Sequence, residues 1–242
     1  LGRGYLQSRR LIADLQPQAV LGFGGYPSVP PLMAASRKRV RTLLHEQNQV
    51  VGRANRLLAP RADVIATSFP EVSGLPPSAQ GRAVRAGNPV RADIAAVGAR
   101  PYPRIDEKSQ LILLVTGGSQ GARAFDELVP EAVAQLPQEM RARLSVVQQL
   151  RGRDRDEVAA LYDQAGVASE LQPFFTDMPQ RLAAAHLLIC RSGASTVAEL
   201  AAAGRPALLI PYPFAADDHQ QGNAEAFAAA GGGWGLSHRE IT

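Results

Sequence analysis

The stretch Leu187-Leu188-Ile189-Cys190-Arg191-Ser192-Gly193-Ala194-Ser195-Thr196-Val197-Ala198-Glu199 reads as a short apolar strand, a turn of small residues and the opening of a helix. The first amides of a helix have no intrahelical partner, and the macrodipole adds partial positive charge there. A diphosphate can therefore bind at such a start without a lysine. Glu199 lies about one turn further on, where a carboxylate accepts hydrogen bonds from a ribose diol. The same residues fit a second pattern. Thr196 with Glu199 three positions later spells a capping box, in which two side chains merely satisfy donors of the helix start. This stretch alone leaves both readings open.

Outward from it, short apolar runs alternate with longer amphipathic segments, the pattern of βαβ units and a parallel sheet. Strands are predicted at 19–22, 42–44, 64–67, 111–115, 144–148, 187–190 and 207–210, and helices at 4–15, 52–58, 122–135, 154–164, 179–185, 196–203 and 223–230. Several of these strands are apolar throughout, as expected when both faces of a sheet are covered. The fold class is α/β. Between residues 90 and 110 the periodicity lapses into a segment rich in proline and arginine, read as a linker. It divides the chain into a first domain, 1–91, and a second, 92–242.

Composition narrows the function. The chain has 242 residues, 45% of them hydrophobic, and no run of 18 apolar residues, so a spanning helix is excluded. It starts at Leu1 rather than at a methionine, which suggests a fragment, and no charged-then-apolar leader follows, so no secretory signal is expected within these residues. The lone cysteine, Cys190, rules out an internal disulfide and a cysteine-rich metal site, and places the chain in a reducing compartment by default. The net charge of +4 is concentrated in clusters such as Arg37-Lys38-Arg39-Val40-Arg41. With 5% aromatic residues and no aromatic platform interleaved with them, nucleic acid is not the expected partner.

Three more turns follow strand candidates. Gly22-Phe23-Gly24-Gly25-Tyr26-Pro27-Ser28 has Pro27 where a dinucleotide fingerprint needs its third glycine. Thr116-Gly117-Gly118-Ser119-Gln120-Gly121-Ala122-Arg123 allows close approach of a ligand to the backbone, and Ser119 can bond a phosphate or sugar hydroxyl. Neither turn carries the lysine of a P-loop. In the turn after 207–210, Gln220 and Asn223 are three apart and would share a helix face, presenting amides to sugar hydroxyls. In the first half, His45 and Glu46 suggest a general base with its orienting acid, although neighbours in a chain rarely face each other. No metal-binding spacing and no serine-hydrolase elbow is present.

Gly22-Phe23-Gly24-Gly25-Tyr26, His45-Glu46-Gln47-Asn48, Gly87-Asn88-Pro89-Val90-Arg91, Gly117-Gly118-Ser119-Gln120-Gly121-Ala122-Arg123, Arg191-Ser192-Gly193-Ala194 and His219-Gln220 with Asn223 occur in one order. In that order they resemble the MurG family of bacterial UDP-N-acetylglucosamine transferases. The resemblance implies a GT-B glycosyltransferase fold, two Rossmann-like domains facing a cleft, and inverting transfer of N-acetylglucosamine to the C4 hydroxyl of undecaprenyl-linked muramoyl-pentapeptide in peptidoglycan synthesis. It implies no cofactor, and work at the cytoplasmic face of the bacterial inner membrane as a peripheral protein attracted to an anionic surface. Carried over residue by residue, Arg91 and Ser119 would meet the diphosphate, and the turn Ala194-Ser195-Thr196-Val197-Ala198 would give backbone donors. Glu199 would hold the ribose, and Phe175 would lie where the family's backbone meets uracil. Asn48, Gln220 and Asn223 would face the transferred sugar, while Tyr26, His45, Glu46 and Asn55 are acceptor-side candidates. The family's base belongs to a glycine-rich loop upstream of Leu1, so no catalytic residue is assigned, and the family's closing helices lie beyond Thr242. Asp126 stands where many members have asparagine. Rival readings are a non-hydrolysing UDP-sugar epimerase, a nicotinamide oxidoreductase and a fragment that only binds nucleotide.

Overall fold

The structure is a computed structural model that describes residues 2–107, 109–118, 123–215 and 218–237. The chain divides into two compact units, one of Leu1–Pro89 with Phe214–Ala226, the other of Val90–Pro213 with Phe227–Thr242.

The first unit holds a four-stranded parallel sheet in chain order, β1 (Ala19–Gly22), β2 (Arg41–Glu46), β3 (Val64–Thr67) and β4 (Ala83–Arg85). Around it lie α1 (Gly2–Leu15), α2 (Val29–Arg37), α3 (Arg53–Leu58) and the single turn α4 (Pro77–Gln80). Side chains alternate across a strand, so Leu44 of β2 and its register partner Ile65 of β3 share one face. Both are buried there with Leu32 of α2 and Leu58 of α3. No helix is predicted over α2, which carries Pro30 and Pro31 near its start. In the structure the prolines occupy the first positions of the helix, where a missing N–H costs nothing and a fixed φ suits the helix.

The second unit is built on six parallel strands: β5 (Leu111–Thr116), β6 (Leu144–Gln149), β7 (Ala168–Gln172), β8 (Leu187–Cys190), β9 (Ala207–Leu209) and β10 (Gly233–Gly235). Its helices are α5 (Ala92–Ala95), α6 (Phe125–Ala134), α7 (Gln138–Arg141), α8 (Arg155–Gln164), α9 (Met178–Ala184) and α10 (Ala194–Ala203). A further helix, α11 (His219–Ala229), carries the chain from Phe214–Ala226 of the first unit into the second. The sheet runs β10-β9-β8-β5-β6-β7. Strands therefore grow from β5 outward to β7, and then the chain returns to lay β8 on the other side of β5. That reversal is a topological switch point, the place where doubly wound sheets open a ligand crevice beyond the carboxyl ends of their strands. The central strands bury Leu114, Val115 and Leu188 at 1% exposure or less, which explains why they read as uninterrupted apolar runs.

The α/β expectation holds, and both units are Rossmann-like. Three strands are absent from the sequence reading: β4, β7 and β10. Each is the edge of its sheet, where half the backbone faces water and an apolar run is not required. The reading of 90–110 as a linker is corrected. Residues 92–99 form α5 and a following 3-10 turn whose Ile94 and Val97 are buried at 0% and 1%. Gly98 lies so close to α10 that an added Cβ would stand 2.2 Å from the carbonyl oxygen of Ala202. The segment lacks periodicity because it is short and anchored by two side chains only.

Candidate functional site

All six strands of the second unit are parallel, so the segments following them emerge at one edge. Thr116 of β5 is in register with Cys190 of β8, so the glycine turn after β5 and the turn Arg191-Ser192-Gly193 leave the sheet side by side at the switch point. Gly118 adopts φ +74, a conformation that favours glycine, and its N–H reaches the Thr116 hydroxyl at 3.3 Å. That hydroxyl donates to Gln149 Oε1 on β6 at 3.1 Å, fixing where the turn begins. Ser119 lies outside the described residues.

The start of α10 bears on the capping-box reading of its sequence. The helix begins at Ala194 with Gly193 as its cap, in an extended conformation and with no side-chain cap. Thr196 is then inside the first turn and cannot be the cap of a capping box, so that reading falls. By contrast, α8 is sealed by Asp154, which accepts from the N–H groups of Asp156 and Glu157. The first intrahelical bond of α10 runs from Val197 N to Gly193 O at 3.0 Å. Ser195 and Thr196 precede that bond, and Ser195 is exposed. Val197 is corrected as a backbone donor: its N–H is used within the helix and its side chain is buried at 6%. Ala198, one step further into the helix, is past the first turn as well.

Glu199 and Arg91, far apart in sequence, meet on this surface with Nε to Oε1 at 3.9 Å. Arg91 also lies 3.9 Å from Asp93. The Glu199 carboxyl is pushed above its ordinary range, first by burial, with Arg91 opposing the rise and Asp93 adding to it. Phe175 sits in the segment after β7. It is 4% exposed, with the Arg181 guanidinium 4.1 Å from the centre of its ring.

In the first unit the candidates form a hydrogen-bonded cluster at the end of β2. Glu46, 2% exposed, accepts through Oε1 from Asn48 N and Nδ2, and through Oε2 from Gly52 N and Asn55 Nδ2. Asn55 Nδ2 also donates to His45 O at 3.1 Å. His45 does not pair with Glu46. The two alternate across the strand, and His45 Nε2 donates instead to Gly87 O at 2.8 Å. The expected base and orienting acid are thus two separate structural anchors. Asn48 Oδ1 accepts from Asn223 Nδ2 at 3.1 Å, and Asn223 Oδ1 accepts from Gln49 N at 2.8 Å. Asn223 is fully buried, so it acts on the loop through Asn48 and Gln49. Gln220 is half-buried, and Tyr26 is 68% exposed on its 3-10 turn.

Sequence reasoning assigned no role to Arg191 and left that of Asp126 in doubt. Asp126, 1% exposed, accepts through Oδ2 from the N–H groups of Arg151, Gly152 and Arg153 at 3.1, 2.9 and 3.3 Å. It holds the turn after β6. An asparagine could offer the same single oxygen. Among the described residues no group of His, Cys, Asp and Glu is placed to hold a metal ion, and no helix is long and apolar enough to cross a membrane.

Residues 112–242 match the glycosyltransferase family 28 C-terminal domain, and residues 1–67 match the N-terminal domain of the same family. A Rhodospirillum centenum protein named "UDP-N-acetylglucosamine--N-acetylmuramyl-(pentapeptide) pyrophosphoryl-undecaprenol N-acetylglucosamine transferase" is 54% identical over all of this chain and 64% of its own length. A protein of the same name from a Methylobacterium species is 56% identical over 96% of this chain and 62% of its own length. The crystal structure of Acinetobacter baumannii MurG is similar at a TM-score of 0.81 and 32% identity, covering 98% of this chain and 66% of that one. The chain thus spans somewhat less than two thirds of the length of these relatives. With a GT-B fold, both domain models of one family in their proper order and relatives of one name, the chain belongs to glycosyltransferase family 28, on its MurG branch.

Proposed function

We propose that the protein of which this chain is part transfers N-acetylglucosamine from UDP-N-acetylglucosamine to the C4 hydroxyl of undecaprenyl-linked muramoyl-pentapeptide, inverting the anomeric carbon. One observation carries this reading: β5 and β8 meet at the switch point, and α10 starts there behind Gly193, a cap without a side chain, with Glu199 and Arg91 beside it. The hydroxyl attacks as UDP leaves. Charge growing on the diphosphate is met by the amides of Ser195 and Thr196, donors already fixed before the reaction, and by Arg91. Glu199 accepts from the ribose, and Ser119 supplies a hydroxyl to the phosphates. In the first unit, Asn48, Gln220 and Tyr26 are the sugar and acceptor contacts. Glu46, Asn55, His45 and Asn223 hold the backbone that presents them.

An acceptor with a polyprenyl tail places the work at a membrane, here the cytoplasmic face of the inner membrane. Arg9, Arg10, Arg37, Lys38, Arg39 and Arg41 are all exposed, and near an anionic surface each charge contributes about 1 kcal/mol. Vesicle binding that ignored both salt and anionic lipid would remove this part.

The nucleotide reading is tested by Glu199→Ala, expected to weaken UDP and uridine alike by about tenfold, the loss of one charge-assisted pair of ribose contacts, with little change in melting temperature. Calorimetric titration reads the first and thermal unfolding the second. Lower stability at unchanged UDP affinity would show the carboxyl to be a helix residue only. UDP release that depends on the lipid acceptor separates transfer from epimerisation.

A further inference from the structure

Arg191 is 8% exposed, and its guanidinium is held on three sides. Nη1 donates to Ile210 O at 3.1 Å and Pro211 O at 2.9 Å, just past β9. Cζ lies 4.7 Å from the centre of the Phe125 ring, which opens α6, and 5.7 Å from that of Tyr212. Nε is enclosed with no hydrogen-bond partner. No ion pair to Arg191 is found among the described residues. Arg205, the other deeply buried arginine among the described residues, also has carbonyl partners and a ring, that of Tyr102 at 5.4 Å, but it differs in that Nε, Nη1 and Nη2 all donate, to the carbonyls of Leu182, Ala203, Gly204 and Ala183. A buried cation costs several kcal/mol unless an anion balances it, and carbonyl and aromatic partners balance it only in part. A neutral side chain could join two loops without that cost. The cation is also placed tellingly, two residues before the cap of α10 and across the ends of β8 and β9, at the edge where the nucleotide reading puts two phosphates.

We propose that Arg191 is an electrostatic positioning residue of the donor site, its enclosed guanidinium drawing the diphosphate onto the first amides of α10 without contacting it. The inference rests on the nucleotide reading above. In a poorly screened interior a full charge acts over several ångströms, so the effect scales with ligand charge and vanishes for a neutral nucleoside.

The test titrates UDP, UMP and uridine into the full-length protein and its Arg191→Gln and Arg191→Lys variants. Arg191→Gln is expected to weaken UDP about tenfold and UMP about threefold, and to leave uridine within about twofold. Arg191→Lys keeps the charge but not the planar fork, so the ratio of UDP to uridine affinity stays within about threefold of the parent's even if both ligands weaken. Equal loss of all three ligands in Arg191→Gln would overturn the proposal in favour of a purely mechanical clamp. Should Arg191→Gln fail to fold, the lysine variant decides: a kept ratio supports the proposal and a collapsed one overturns it. A parent protein that binds UDP no better than uridine would sink the diphosphate site itself, a different failure from an intact preference that Arg191→Gln does not alter.

Discussion

Glu46→Ala is expected to destabilise the protein by about 3–5 kcal/mol, since several donors lose a buried acceptor at once and each such orphan costs about 1–3 kcal/mol before local rearrangement relieves part of it. Both carboxyl oxygens are used, for the backbone N–H groups of Asn48 and Gly52 and the side-chain amides of Asn48 and Asn55. At 2% exposure water cannot easily take their place. The urea midpoint of unfolding measures the loss. Glu46→Gln keeps one side-chain oxygen and should show about half the effect. Combining Glu46→Ala with Asn55→Ala should cost less than the sum of the two, because the pair shares a bond. A loss under about 1 kcal/mol would mean that the loop 47–52 holds its shape by other bonds.

Asp126→Ala is the second large effect, expected at about 3 kcal/mol. Three consecutive N–H groups, of Arg151, Gly152 and Arg153, converge on one oxygen, and deletion strands them at a buried position. Asp126→Asn retains an oxygen for all three and turns an amide nitrogen toward Gln148 Nε2, which now lies 3.5 Å from the other carboxyl oxygen. Two donors then face each other, at a cost of about 1 kcal/mol unless Gln148 turns over. Gln148 is itself held by Tyr162, whose hydroxyl donates to its Oε1 at 2.5 Å, and by Phe125 O. Equal stability of the alanine and asparagine variants would show that the turn after β6 does not depend on this oxygen.

The central strands were legible because burial on both faces demands apolar residues, and Leu113 to Val115 or Leu187 to Ile189 cannot be mistaken for loop. The edge strands β4, β7 and β10 were not, because nothing about a half-solvated strand requires a distinctive composition. Helix α10 was found from its alanines and its glycine turn. Its start was not, since Thr196 and Gly193 are both reasonable caps and only backbone geometry chooses between them. Among the site residues, Arg91 came from the family pattern and Glu199 from its place one turn past the helix start, whereas their meeting at 3.9 Å required the packing on α10 of α5, a segment that reads as linker.

By itself, then, the sequence determined the α/β class, the parallel sheets, the family and the residue types that could grip a nucleotide, because hydrophobic period and local turn chemistry are written within a few residues of one another. Tertiary structure alone decided which turns lie side by side, that His45 and Glu46 serve separate partners, and that the Arg191 guanidinium lies enclosed between Phe125 and Tyr212. These depend on strand order and on which buried donor finds which acceptor. Both are settled by contacts between residues tens of positions apart, for which a single chain carries no local signal.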